Sequence, residues 1–285
     1  MEIFDDHTCF LGEGPLWHPL EKAWYWFDII EQNLFRMHDG TRSSWQFDEP
    51  VSAAGWVDET HLLIASASGL YRFDTRDGAR QQVVALEADQ PGTRSNDGRA
   101  DPQGGFWIGT MGLNGESGAG AIYRFWRGEL RKLHDRISIP NSICFPGSGE
   151  FACFCDTFSG QIMRQDLDPA TGWPNAEAEV FVDLRAEGLN PDGSVFDADG
   201  YLWNAQWGAG RVARYGPDGR FDRAIDLSTD HITCPAFGGT NLGQLLVTSA
   251  RQGLEATALS AQPQAGMTFL GDPGVAGLAE HRVIL

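Results

Sequence analysis

Pro191-Asp-Gly-Ser-Val-Phe-Asp-Ala-Asp-Gly-Tyr-Leu-Trp203 decides the fold. An acidic residue, Asp192, leads into the short apolar run Gly193-Ser-Val-Phe196. Asp197-Ala-Asp-Gly200 follows, with Asp first and Gly fourth, the pattern of a type I turn closing a hairpin. A second apolar run is then centred on Trp203, 11 positions after Asp192. The same 11-residue spacing links Glu13 to Trp24, Ala53 to Ile64, Asn96 to Trp107, Asn141 to Ala152 and Cys234 to Leu245. Asp101-Pro-Gln-Gly104 repeats the turn, and Pro146-Gly-Ser-Gly149 is a looser version.

Each unit continues in the same order. Third runs carry an apolar residue followed closely by Arg, as in Leu34-Phe-Arg-Met37, Leu70-Tyr-Arg-Phe73, Ile122-Tyr-Arg-Phe125, Ile162-Met-Arg-Gln165 and Val212-Ala-Arg-Tyr215. The sixth, Met267-Thr-Phe-Leu270, lacks the Arg. Short fourth strands are expected near residues 81–86, 130–133, 179–182 and 223–227. The leading residues are separated by 40, 43, 45, 51 and 42 positions. Four strands per period of that length define a β-propeller blade. The expectation is all-β: one six-bladed β-propeller with four-stranded antiparallel blades over residues 1–285, and a β-sandwich or barrel as the alternative. Ring closure requires residues 2–8 to pair with the last blade, or an equivalent latch.

The 285 residues include 35 Gly and 10 Trp, with 42% hydrophobic residues, which suits many turns and a sizeable core. A formal net charge of −18 repels phosphate backbones and anionic lipid, so neither nucleic acid nor a membrane is an expected partner. No run approaches a membrane span, and the acidic Met1-Glu-Ile-Phe-Asp-Asp6 is unlike a signal peptide. The five cysteines, an odd and scattered set, read as buried thiols of a reducing cytoplasm.

In a propeller the innermost strands line a central channel and run in one direction. Equivalent positions therefore meet at one channel end. Glu13, Asn96, Asn141 and Asp192 would converge there, while the small Ala53 and Cys234 leave room. Each polar residue alone reads as a turn or loop residue; the shared register is what gathers them. Two carboxylates and two amides in a narrow channel call for a cation. Oxygen donors favour Ca²⁺, Mg²⁺ or Mn²⁺, though Zn²⁺ also accepts carboxylates. Arg94 is placed to grip substrate oxygens, and Asp97 to bind substrate or orient its neighbours. Trp207, His18, Asn114 and Glu116 are weaker wall candidates, His18 reading as structural. No Gly-x-Ser-x-Gly motif and no histidine metal spacing occur.

Leu11-Gly-Glu-Gly-Pro15, Arg94-Ser-Asn-Asp-Gly98, Gly109-Thr-Met111, Pro140-Asn-Ser142 and Pro191-Asp-Gly193 together resemble the signature segments of the senescence marker protein/gluconolactonase/luciferin-regenerating enzyme (regucalcin-like) family, with the bacterial sugar lactonases the more similar branch. That resemblance implies one divalent metal at the channel mouth, Ca²⁺ first, held by Glu13, Asn141 and Asp192. It places Arg94 and Asn96 on the substrate. It also implies hydrolysis of an aldonolactone to the sugar acid, with the small-molecule lactone as partner; Asp192, a ligand that can also reach a bound water, is the expected general base. Asn114 stands where many members carry an acid, and with Asp97 completes the expected substrate contacts. The competing readings are a metal-dependent hydrolase of aryl or organophosphate esters, a calcium-binding regulatory protein, and a protein-interaction propeller.

Overall fold

The computed structural model describes residues 1–285. Its strands form six four-stranded antiparallel sheets arranged as the blades of a propeller. The innermost strands are Gly12–His18, Val51–Asp58, Thr93–Ala100, Pro140–Cys144, Asn190–Phe196 and Ile232–Gly238. Blades one to five use four strands consecutive in the chain. The sixth borrows its outer strand, Glu2–Asp5, from the N-terminus. That strand pairs antiparallel to Thr268–Gly271, with Glu2 opposite Leu270 and Ile3 opposite Phe269. First and last blades are thus tied by backbone hydrogen bonds, which removes the open edge a linear array would present.

Apolar alternation along the strands produces six buried clusters, one at each blade interface. Between blades three and four, for example, Trp107 and Ile122 pack on Ile143, Phe145 and Phe154. No blade buries both faces alone, so closing the ring completes the core.

The recurring third-strand arginine also has a physical reason. Arg124 Nε donates to Asp101 Oδ2 at 2.6 Å, with both side chains fully buried. Arg214 reaches Asp197 at 2.7 Å. In each case the Asp opens a hairpin turn, and its other oxygen accepts backbone N–H groups across it. Arg36 pairs with Glu21, and Arg72 lies 3.6 Å from Asp58, at the corresponding turns. Arg164 pairs instead with Asp166, because Pro146-Gly-Ser-Gly149 offers no acid.

The structure refines one sequence expectation. The leading residues do not precede the inner strands but lie within them, at a break in register. Pairing passes from Glu13 opposite Phe27 to Leu16 opposite Tyr25, so the inner strand spends one extra residue. Equivalent breaks occur at Ser95/Gly98, Asn141/Cys144, Pro191/Ser194, Ile232/Pro235 and Val51/Ala53. A bulge turns a side chain out of the sheet's alternation. Six bulges in one layer turn six residues toward the axis.

The opposite channel end is crossed by the C-terminal tail. Gly277 bridges to Asp197, Glu280 pairs with Arg99, and the Val283 and Ile284 amides donate to Trp56 and Gly104 carbonyls at 2.9 and 2.8 Å. Access to the channel is therefore from the bulge side. No helix is long and apolar enough to cross a membrane.

Candidate active site

At the bulged end lies a cavity of about 390 Å³. Glu13, Arg94, Asn96, Asn141 and Asp192 line its floor and walls, together with Thr157. All are buried, Arg94 at 4% exposure and Asp192 at 5%. Leu11, Met111, Ile139, Phe158 and Trp207 form the apolar part of the wall. Trp207 is held by stacking on His231, ring centroids 4.0 Å apart.

Two glycines let the inner strands approach. Gly14 adopts φ +56, and a side chain there would run into the Ser52 carbonyl. At Gly193 an added Cβ would meet the Cys234 sulfur. Each follows a carboxylate, Glu13 or Asp192, so the acid sits where neighbouring strands lie nearest.

The amides are positioned by a chain of hydrogen bonds crossing blades. Arg94 Nη1 donates to Asn96 Oδ1 at 2.8 Å. Asn96 Nδ2 donates to the Pro140 carbonyl at 2.9 Å and to Asn141 Oδ1 at 3.1 Å. Asn141 Nδ2 donates to Thr157 Oγ1 at 2.9 Å, and that hydroxyl donates to the Pro191 carbonyl at 2.8 Å. Beneath Asp192, Ser142 Oγ and Asn204 Nδ2 donate to its main-chain carbonyl at 2.6 and 3.1 Å. Its carboxylate Oδ1, by contrast, is buried without a partner. So is Arg94 Nε.

Burial and mutual repulsion dominate the electrostatics. Burial first, then Asp97, pushes the Glu13 carboxyl up to about 8. Burial, with Glu13 and Asp97 adding to it, holds Asp192 well above the carboxylate range. Asp97 is raised to about 6, again chiefly by burial. Arg94 is lowered to about 10 by burial, against the pull of Glu13. Glu13 and Asp192 therefore carry protons at neutral pH unless a cation replaces them, whereas Asp97 is largely ionised.

The donor set fits a divalent cation. Glu13 and Asp192 supply charge, the Asn141 amide oxygen is a hard neutral donor, and the orphaned Asp192 Oδ1 is an acceptor with nothing to accept from.

Five expected site residues thus share one cavity, and two do not. Asp97 sits below the floor, where its carboxylate accepts the Ile143 amide at 2.7 Å and orders the neighbouring inner strand. Asn114 lies in an exposed turn, donating from Nδ2 to Glu116 Oε1 at 2.8 Å, and neither lines the cavity. His18 bonds the Asp58 carbonyl at 3.0 Å, away from the cavity. Thr157, Ser142 and Asn204 were not anticipated. Ser142 lies inside a quoted motif, yet its role follows from φ +58, which aims it across to the next blade.

Fold and site together define a hydrolase of carboxylic esters of the lactonase type, built on a six-bladed propeller. The chain belongs to the SMP-30/Gluconolactonase/LRE-like family, whose model matches residues 11–251. It is 38% identical to L-arabinolactonase of Azospirillum brasilense over 280 residues, 95% of this chain and 91% of that one. It is 32% identical to 6-deoxy-6-sulfogluconolactonase of Pseudomonas putida, covering 95% of this chain and 94% of the relative. Among solved structures, it superposes on a calcium-binding protein, regucalcin, from Agrobacterium tumefaciens with a TM-score of 0.97 and 43% identity, covering 99% and 97% of the two chains.

Proposed function

We propose that this protein hydrolyses an aldonolactone, a pentono- or hexonolactone, to the free sugar acid with one divalent cation at Glu13, Asn141 and Asp192. The observation that carries the reading is the buried Asp192 Oδ1, without a hydrogen-bond partner, in a cavity that Glu13 and Asn141 also line. Ca²⁺ is the first choice of ion, supported by the likeness to the calcium-binding protein of Agrobacterium tumefaciens. When bound, the cation supplies Lewis-acid polarisation of the ester carbonyl.

The chain's own residues do the rest. Arg94, with Nε free and Nη1 anchored on Asn96, presents N–H donors to the ring oxygens. Asn96 is locked by three hydrogen bonds and aligns both Arg94 and Asn141. Asp192 takes a proton from the attacking water as its oxygen bonds to the carbonyl carbon. The ring C–O bond then breaks, and the same carboxyl returns the proton to the departing ring oxygen. Water is consumed and one hydroxy acid forms, with no redox change. The apolar wall of Met111, Ile139 and Trp207 excludes bulk water from the reacting face.

The test is to strip the protein of metal and restore Ca²⁺, Mg²⁺, Mn²⁺ or Zn²⁺ singly. Acid release is then followed from arabinono-, xylono-, glucono- and galactonolactone, beside aryl and phosphate esters. Faster hydrolysis of at least one lactone than of any other ester is expected. Silence on every lactone with every ion would overturn the reading, and activity confined to the other esters would transfer it to them.

A further inference from the structure

His7, Cys9 and Asp28 form a second cluster of metal-binding side chains, and none of them lines the channel cavity. One ligand atom from each lies within 4.8 Å of the other two. The cluster sits at the seam where the ring closes. Residues 6–11 run from the closing strand Glu2–Asp5, in blade six, to the first inner strand of blade one. Cys9 belongs to the apolar cluster between those two blades, beside Trp24, Trp26 and Leu246.

The ligands are held before any ion arrives. The Cys9 amide donates to the Gly266 carbonyl at 2.9 Å, fixing it to blade six. Asp28, on blade one, accepts the Phe10 amide on Oδ2 at 2.6 Å. Its Oδ1 accepts the Leu11 and Glu31 amides at 3.1 and 3.2 Å. Oδ2 therefore keeps a lone pair. The His7 ring is half-buried against Phe35, centroids 4.7 Å apart, with its ligand nitrogen already beside the other two groups.

A second observation points the same way. The Trp26 indole N–H is fully buried and has no hydrogen-bond partner. Burial, then the Asp28 carboxylate, holds the Cys9 thiol well above its ordinary range, and the Trp26 N–H, directed at the sulfur, works against them. A metal-bound thiolate is an acceptor that would satisfy this donor, as outer hydrogen bonds to metal ligands generally do. Asp5 faces the same sulfur and adds negative field, partly offset by Arg42, which it binds at 2.8 Å.

We propose that His7, Cys9 and Asp28 bind a borderline-soft divalent cation of the Zn²⁺ class, and that this ion fastens the closing segment to blade one. Imidazole, thiolate and carboxylate are the donor types Zn²⁺ takes, with bonds of about 2.0–2.3 Å. The hard-oxygen channel site prefers a different ion class, so the two need not compete. Binding displaces the Cys9 proton to solvent.

The experiment uses the full chain with the channel filled by Ca²⁺ and titrates it with Co²⁺, whose bond to a thiolate gives a near-ultraviolet charge-transfer absorption. One equivalent of Co²⁺ should produce that absorption, and Zn²⁺ should erase it. Cys9→Ser should lose it, whereas Cys234→Ser, near the channel, should keep it. His7→Ala, on the half-buried loop, should weaken Co²⁺ binding at least tenfold. Absence of the absorption at saturation, or its survival in Cys9→Ser, would overturn the proposal. If Cys9→Ser does not fold, His7→Ala decides, because unchanged affinity there sinks the site.

Discussion

Asn96 Nδ2 donates to Asn141 Oδ1 across 3.1 Å, joining inner strands of neighbouring blades at residues 45 positions apart. In the proposed function the bond links the substrate side of the cavity to the cation side. Asn96→Ala leaves Arg94 Nη1 without its side-chain acceptor and lets the Asn141 amide turn. Cation affinity should fall about 10–100-fold, as when outer partners of metal ligands are lost. KM for the lactone should rise together with it. Calorimetric cation titration beside steady-state kinetics reads both, and an Asn96→Ala protein with normal cation affinity would break the link.

Asp192→Asn keeps the shape of the cavity and removes the proposed base. Turnover should drop about 10²–10⁴-fold, the usual contribution of a positioned general base. Cation affinity should also fall, because one of the two charged ligands is gone. Glu13→Gln is the matched comparison. It lowers affinity in the same way, so at saturating cation it should retain more turnover than Asp192→Asn. Equal turnover in the two variants would remove the assigned base.

The metal-free protein should lose stability as pH rises. Glu13 titrates at about 8 in the folded chain against 4.5 as its ordinary value, with burial the largest cause. The folded state holds a proton that the unfolded state gives up, so this stability is complete below about 4.5 and declines as pH climbs through 8. Asp97, at about 6, acts in the same sense over a lower window. Added Ca²⁺ should flatten the profile by taking the proton's place. Thermal melts from pH 5 to 9 with and without the ion check this, and a metal-free Tm that rises with pH would contradict it.

Arg124 and Asp101 form an ion pair with no solvent contact. Arg124→Met strands the Asp101 charge and should destabilise the fold by about 3–5 kcal/mol. Combining it with Asp101→Asn should recover part of that loss. Denaturant unfolding of the two variants decides, and equal stability would show that the pair is not coupled.

Much of this protein was legible in its chain. Alternation, turn residues and the Arg of the third strand are local features, and they recur because each blade solves the same packing problem. Glu13, Asn96, Asn141 and Asp192 could be placed together because an inner-strand register is a sequence count. The bulges were not legible, since an extra residue shows only against the partner strand. Asp97 lies next to the cavity residue Asn96, but a neighbour on a strand points the other way, and Asn114 lies in a turn exposed to solvent.

What the sequence determined alone was therefore the six-unit period and the set of polar residues facing the axis, both carried by short-range spacing. Tertiary structure decided the rest. It chose the N-terminal strand as the latch, laid the C-terminal tail across the far channel end, and brought Thr157, Ser142 and Asn204 under the site. Those contacts join chain segments through the closed ring, and no local pattern encodes a partner that only ring closure brings within reach.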